Sequence, residues 1–323
     1  MSRATIAPDR RTEVVTDGGA GPRKRARPSG DGLAGYLFLS PWIIGIVLLT
    51  LGPMVTSLYL SFTDYDLFNT PTWIGLENYQ RMFSDARWLR SVEVTAIYVA
   101  LAVPIKLIAA LAVAMLLNSK RSGQGFYRAA FYGPSLIGGS VGVAIVWKMM
   151  FSDDSVVDQL LLRFGIDTGG WAGNPDFSLM MLVLLATWQL GAPMVIFLAG
   201  LKQVPRELYE AAEVDGAGRG RQFWSITLPM ISPVLFFNLL LETINAFQVF
   251  TSAYVVGGPN GQPAGSTLFY TIYLFDRGFG DYRMGYASAM AWMLLLGVGL
   301  VTVFLFRTAR GWVFYSGDSG DKR

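Results

Sequence analysis

Four polar side chains, Asn238, Glu242, Asn245 and Gln248, recur at intervals of four, three and three within a stretch that is otherwise strongly apolar. On an α-helix that spacing puts all four on one face. Trp188 and Gln189 form a second set, followed at once by Gly191 and Pro193, residues that loosen a helix locally. Amides and a carboxylate hydrogen-bond the hydroxyls of a polar solute, and an indole ring packs against its C–H faces. This is the chemistry of binding rather than of bond breaking. The 323 residues include no cysteine and no histidine, which removes thiolate nucleophiles, disulfides, and the commonest general base and metal ligand. No pair of acids clusters in the apolar segments, so no catalytic residue and no metal site is assigned.

The elements that carry these residues follow from the scarcity of charge. Apolar residues make up 52% of the chain and charged ones 15%, where soluble proteins carry about a quarter. A gap of about 18 residues between charges is long enough for a membrane-spanning helix. The gaps predict an all-α integral membrane protein with six spans, at about residues 36–62, 92–117, 128–150, 178–201, 229–253 and 285–306. The glycines from Gly257 onward end the fifth. Lys106 and Glu242 fall inside spans, where an isolated charge is costly; Lys106 either neutralises Glu242 within the bundle or snorkels. Lys148, near a helix end, is expected to snorkel, and Trp42, Trp147 and Trp312 to anchor at the interfaces.

Cationic loops tend to stay in the cytoplasm. Of 26 Lys and Arg, eighteen fall on the side that holds both termini, six on the other and two within spans. This predicts a multi-pass protein of the cell membrane with both termini cytoplasmic. The basic run Arg23 to Arg27 then reads as a topology and anionic-lipid signal of the bilayer-facing chain, not as a nucleic-acid site. Residues 1–34 are expected to be a disordered basic tail that is not a cleaved signal peptide; residues 35–312 form the transmembrane domain and 313–323 a polar cytoplasmic tail.

The loop between the fourth and fifth spans, VPRELYEAAEVDGAGRGRQFWSITLP at 204–229, departs from generic membrane sequence. Pro205 is a helix-start residue, good helix formers follow, and Gly216, Gly218 and Gly220 terminate the helix. Residues 221–227 can form a second short helix, with Pro229 bending the chain into the next span. The result is a helical hairpin whose Ala211 and Ala212 leave a surface that another protein can approach closely, flanked by Glu210, Glu213, Arg219 and Arg221.

This loop resembles the signature of the membrane subunits of binding-protein-dependent ABC importers: Glu-Ala-Ala, three residues, Gly, nine residues, then Ile-x-Leu-Pro. Here it is Glu210, Ala211, Ala212, Gly216, Ile226, Leu228 and Pro229. Within that family the chain is similar to the first membrane subunit of maltose-type sugar importers, through YLFLSPWIIGIVLLTLGPMVTSLYLSFTDYD, WIGLENYQRMFSD, LAGLKQVPRELYEAA, VVGGP and GYASAMAW, over about residues 36–312. It lacks the two extra N-terminal helices and the large insertion of the maltose subunit, so maltose itself is not implied; shorter relatives serve many oligosaccharides and glycerol-phosphate esters.

The resemblance implies a type I importer permease fold, with the 204–229 hairpin as the coupling helix. It also implies three partners: a second homologous membrane subunit, a cytoplasmic ATPase dimer, and an extracytoplasmic sugar-binding protein. No G-x-x-x-x-G-K-[ST] loop occurs, so ATP and Mg are expected on the partner ATPase and no cofactor on this chain. Glu210 would contact the ATPase and Gly216 would set the hairpin angle. Trp188, Gln189, Glu242, Asn245 and Gln248 are then candidates to line a sugar path; the other reading of the same residues is that they tie helices together or meet the second subunit. If Lys106 and Glu242 pair, the path is close to neutral, which suits an uncharged sugar. The rival functions are an ion-coupled secondary transporter of a small polar solute, which would want intramembrane carboxylates, and a membrane-embedded enzyme, which would want the residue types the chain lacks.

Overall fold

The computed structural model describes residues 31–119, 123–165 and 167–314. The run Arg23 to Arg27 and most of both tails lie outside them. The chain divides into two units, Met1–Pro53 and Met54–Arg323. In the first, α1 (Asp31–Gly45) passes into a π-helical turn over Ile46–Leu51. Helix α2 (Gly52–Ser61) leads into the second unit, and Gly35–Ser61 as a whole is apolar enough to cross a membrane.

The second unit is built around α4 (Ala86–Leu117). Its buried residues, Trp88, Ser91, Val94, Tyr98, Ala102, Leu107, Ala110, Ala114 and Leu117 among them, recur every three or four positions, the period of a single helix face. Around Tyr98 this face packs on Met181, Leu182, Phe269 and Met290, and from Val103 onward on Met194, Phe197, Leu201 and Ile231. Lys106 stands four residues after Ala102 and four before Ala110. It therefore shares the inward face, which is the local reason that it does not snorkel.

Three expected spans differ from straight rods. Residues 128–150 form α5 (Gln124–Ile137) and α6 (Val141–Met150), which meet at 102°. Gly138 and Gly139 open the break, and the Ser140 hydroxyl accepts the Val143 N–H at 3.3 Å to start the new helix, a side-chain N-cap. Residues 178–201 form α8 (Ser178–Trp188) and α9 (Gly191–Leu201), bent by 47°. Gly191 lets α9 press on α5, since a Cβ there would lie 2.7 Å from the Phe131 carbonyl oxygen. The expected fifth span falls on α13 (Ser232–Phe247) and the start of α14 (Thr251–Gly257), separated at residues 248–250. The expected last one falls on α16 (Met284–Ala309). Among the described residues four helical runs are long and apolar enough to cross a membrane, and six if each bent pair counts as one span.

Strands β1 (Thr63–Asp64) and β2 (Thr72–Trp73) pair antiparallel, α7 (Val156–Arg163) follows α6 in the chain, and α3 (Glu77–Ser84) and α15 (Tyr270–Phe275) pack on α4. Asp85 ties α4 to α15. Its carboxylate accepts the N–H groups of Arg87 and Trp88, capping α4, and the hydroxyls of Tyr273 at 2.5 Å and Tyr286 at 2.9 Å. Burial opposes its charge, but these donors hold its carboxyl below the usual carboxylate value. Burial, followed by the Asp85 hydrogen bond, pushes the Tyr273 hydroxyl up to about 12. The guanidinium groups of Arg87 and Arg277 sit 5.2 and 4.7 Å from the Tyr273 ring centre.

Candidate functional site

Where the broken helices converge, a cavity of about 240 Å³ opens among α4, the α5–α6 break, α8 and the α13–α14 break. Helix breaks place it there, because an interrupted helix leaves room and unpaired backbone groups that a continuous one does not. Its polar wall is Lys106, Gln189, Glu242, Asn245, Thr251 and Ser252, and its aromatic wall is Tyr98 and Phe250. Lys106 Nζ donates to Glu242 at 2.8 Å, with side-chain exposures of 15% and 12%. An ion pair this enclosed leaves the wall without net charge. Gln189 lies directly over Gly138: a Cβ on Gly138 would stand 2.3 Å from the Gln189 Cγ and Cδ. Its Nε2 donates to the Leu185 carbonyl at 3.3 Å.

A second feature is the hairpin. Helix α10 (Arg206–Val214) follows Pro205 and ends at Gly216, whose φ of +75° lies in the left-handed region that favours glycine. The Ala217 N–H returns to the Ala212 carbonyl at 2.8 Å. The chain continues as α11 (Arg219–Gln222), a π-turn over Phe223–Thr227 and α12 (Leu228–Met230). A 2.8 Å hydrogen bond between the Tyr209 and Thr227 hydroxyls ties the two arms. Tyr209 and Ile226 pack on the Leu201, Val204 and Ile231 cluster. Glu210, Ala211 and Gly216 are exposed and Ala212, Leu228 and Pro229 half-buried, while Val214 is 89% and Trp224 68% exposed.

Residues 74–310, which contain the cavity-lining side chains and the whole hairpin, match the family of binding-protein-dependent transport system inner membrane components. The chain belongs to this family. It is 49% identical over 304 residues to the probable ABC transporter permease protein YesP of Bacillus subtilis (strain 168), covering 93% of this chain and 98% of that protein. It is 31% identical over 278 residues to the arabinooligosaccharides transport system permease protein AraP of the same organism, covering 84% and 86%. In fold it is similar to a chain of a bacterial alginate ABC transporter solved with an alginate pentasaccharide-bound periplasmic protein. The TM-score is 0.73 at 20% identity, over 87% of this chain and 95% of the other. The chain is thus a multi-pass membrane permease, a transport component and not an enzyme.

The permease brings together three of its five predicted path residues, Gln189, Glu242 and Asn245, and leaves two outside the lining. Trp188 packs at a tilt of 35° against Trp147, with ring centres 5.7 Å apart. Gln248 is exposed where α13 ends. Asn238, on the same stripe, is buried with its Nδ2 lacking a hydrogen-bond partner; helix packing, not the cavity, surrounds it. Two anchoring expectations are corrected. Lys148 does not snorkel: its Nζ donates to the Val255 and Val256 carbonyls at 3.3 and 2.8 Å, the free acceptors at the end of α14. Trp147 is no interfacial anchor, since its indole N–H donates to the Met181 carbonyl inside the bundle.

Sequence reading missed Tyr98, Phe250, Thr251 and Ser252. Tyr98 had a signal, standing eight residues before Lys106 and so on its helix face. The other three enter through the α13–α14 break, and the apolar run across it showed no breaker.

Proposed function

We propose that this permease is one of two membrane subunits of an ATP-driven importer that carries a sugar or oligosaccharide into the cytoplasm. The observation that carries the reading is the cavity at the helix breaks. Its amide and hydroxyl groups match the hydroxyls of a sugar, Tyr98 and Phe250 offer faces for its C–H surfaces, and the Lys106–Glu242 pair leaves no net charge for a neutral solute to meet. Relatives named for arabinooligosaccharides support the carbohydrate class.

The mechanism is alternating access. A loaded extracytoplasmic binding protein docks on the outer loops, ATP with Mg closes a separate ATPase dimer, and the hairpin 204–229 transmits that closure to the helices. Glu210, Ala211 and Ala212 contact the ATPase, Gly216 sets the hairpin angle, and Ile226, Leu228 and Pro229 join the hairpin to the fifth span. The exposed Val214 and Trp224 support a protein partner there, because apolar side chains on a loop end stay dry only against another surface. Both termini are cytoplasmic in this arrangement, and each bent pair counts as one of six spans. An ion-coupled carrier is the weaker reading, since the central carboxylate, Glu242, is already engaged by Lys106.

The test is reconstitution. The permease copurified with a second membrane subunit and a Walker-type ATPase, in liposomes with binding protein and labelled oligosaccharide, is expected to take up sugar only with ATP. Gradient-driven uptake by the permease alone would overturn the assignment.

A further inference from the structure

The last span ends in a second cavity, of about 530 Å³, that the transport path does not use. It is formed by Phe236 of α13 with Val303, Phe306 and Arg307 of α16 and Arg310, the residue that caps its end. Arg307 and Arg310 are three residues apart and therefore share a helix face. Both are exposed, and among the described residues neither has an ion-pair partner. The chain after α16 runs beside this cavity and is tied to α13, which supplies Phe236. The Val313 N–H returns to the Ala309 carbonyl at 2.8 Å, the Phe314 N–H donates to the Ser232 hydroxyl at 2.8 Å, and Trp312 packs edge-on against Phe236 with ring centres 6.1 Å apart. Phe236 is itself buried, and Phe306 meets it at 5.0 Å.

Two guanidinium groups at the rim and an aromatic and aliphatic wall below them present two chemistries in one cleft. The first suits a phosphodiester, which arginine binds through paired N–H donors; the second suits hydrocarbon. The position, at the end of a helix long and apolar enough to cross a membrane, is where a molecule with both parts is found at high local concentration. We infer that this cleft is a binding site for one anionic phospholipid, its phosphate held by Arg307 and Arg310 and an acyl chain laid against Val303 and Phe306. Charge complementarity decides the occupant. A zwitterionic lipid would bring a cationic group to the arginines, and free phosphate would leave the apolar wall exposed.

The assembled transporter, purified in a mild detergent and mixed with defined lipids, tests this by native mass spectrometry. Phosphatidylglycerol is expected to remain bound at one molecule per permease chain, at least tenfold more than phosphatidylcholine. Arg307→Gln/Arg310→Gln is expected to reduce retention to the phosphatidylcholine level. A second readout needs no arginine variant: lipid brominated on its acyl chain should quench Trp312, measured as the difference between the wild type and Trp312→Phe. Equal retention of the two lipids overturns the site, as does retention unchanged in the double variant. Displacement of phosphatidylglycerol by millimolar inorganic phosphate, without Trp312 quenching, would assign the cleft to free phosphate instead.

Discussion

Lys106 Nζ, on the inward face of α4, lies 2.8 Å from the Glu242 carboxylate of α13 at the wall of the central cavity. These residues are 136 positions apart, and each is the charge that makes the other tolerable away from water. Lys106→Met alone strands the carboxylate, which costs about 3–5 kcal/mol for an enclosed pair, and should sharply reduce assembly measured by size-exclusion chromatography. Lys106→Met with Glu242→Gln should restore assembly by removing both charges. Equal defects in the single and double variants would mean that the pair is not the reason for the loss.

Gly138→Ala should act on transport and not on folding. Its new Cβ meets the side chain of Gln189, not backbone, so Gln189 swings away while the helices stay in place. Uptake assays are expected to show an apparent affinity weakened several-fold with normal membrane levels; unaltered affinity would remove Gln189 from the path.

Asn245 and Asn238 occupy one helix face and should behave oppositely. Asn245→Leu removes an amide from the cavity wall and should change uptake while leaving the complex intact. Asn238→Leu replaces a buried amide whose Nδ2 has no partner and should leave transport unchanged and thermal stability equal or higher, because an unpaired buried donor costs about 1–3 kcal/mol. Loss of assembly in Asn245→Leu would show that this amide ties helices together instead.

Gly216 has open space around its Cα, so a substitution there meets only the cost of its left-handed backbone, about 1–2 kcal/mol. Gly216→Ala should be mild. Gly216→Pro cannot adopt the +75° angle and should abolish substrate-stimulated ATPase activity in the reconstituted complex while insertion persists. Coupled ATPase activity in that variant would disprove the hairpin's role.

Asp85→Asn loses the charge from a carboxylate with four donors and should cost about 1.5–3 kcal/mol, read by thermal unfolding in detergent. Because the folded carboxyl titrates below its ordinary value of 3.8, the stabilisation is complete above that pH and is lost as pH falls through the folded value. The gap between wild type and Asp85→Asn should therefore be constant from pH 8 to pH 5 and close only in strong acid. A gap that closes near neutrality would contradict the network.

Much was legible in the amino-acid order because membrane insertion imposes a local rule: an apolar run of sufficient length must form a helix that satisfies its own backbone. That rule, together with the spacing from Glu210 to Pro229, was enough to locate the apolar segments, the hairpin with its turn at Gly216, and the permease family. What the rule could not reach was the sharp bend at Gly138 to Ser140 and the break after Phe247, since hydropathy measures composition and is blind to direction. The path residues divide for the same reason. Helical spacing placed Asn238, Glu242, Asn245 and Gln248 on one face, but a face is shared between cavity, packing and open surface according to which helices cross it. Those crossings are set by contacts between residues far apart in the chain, such as Gly191 on Phe131, Gln189 over Gly138 and Lys106 on Glu242, so only the tertiary structure decided which polar groups meet.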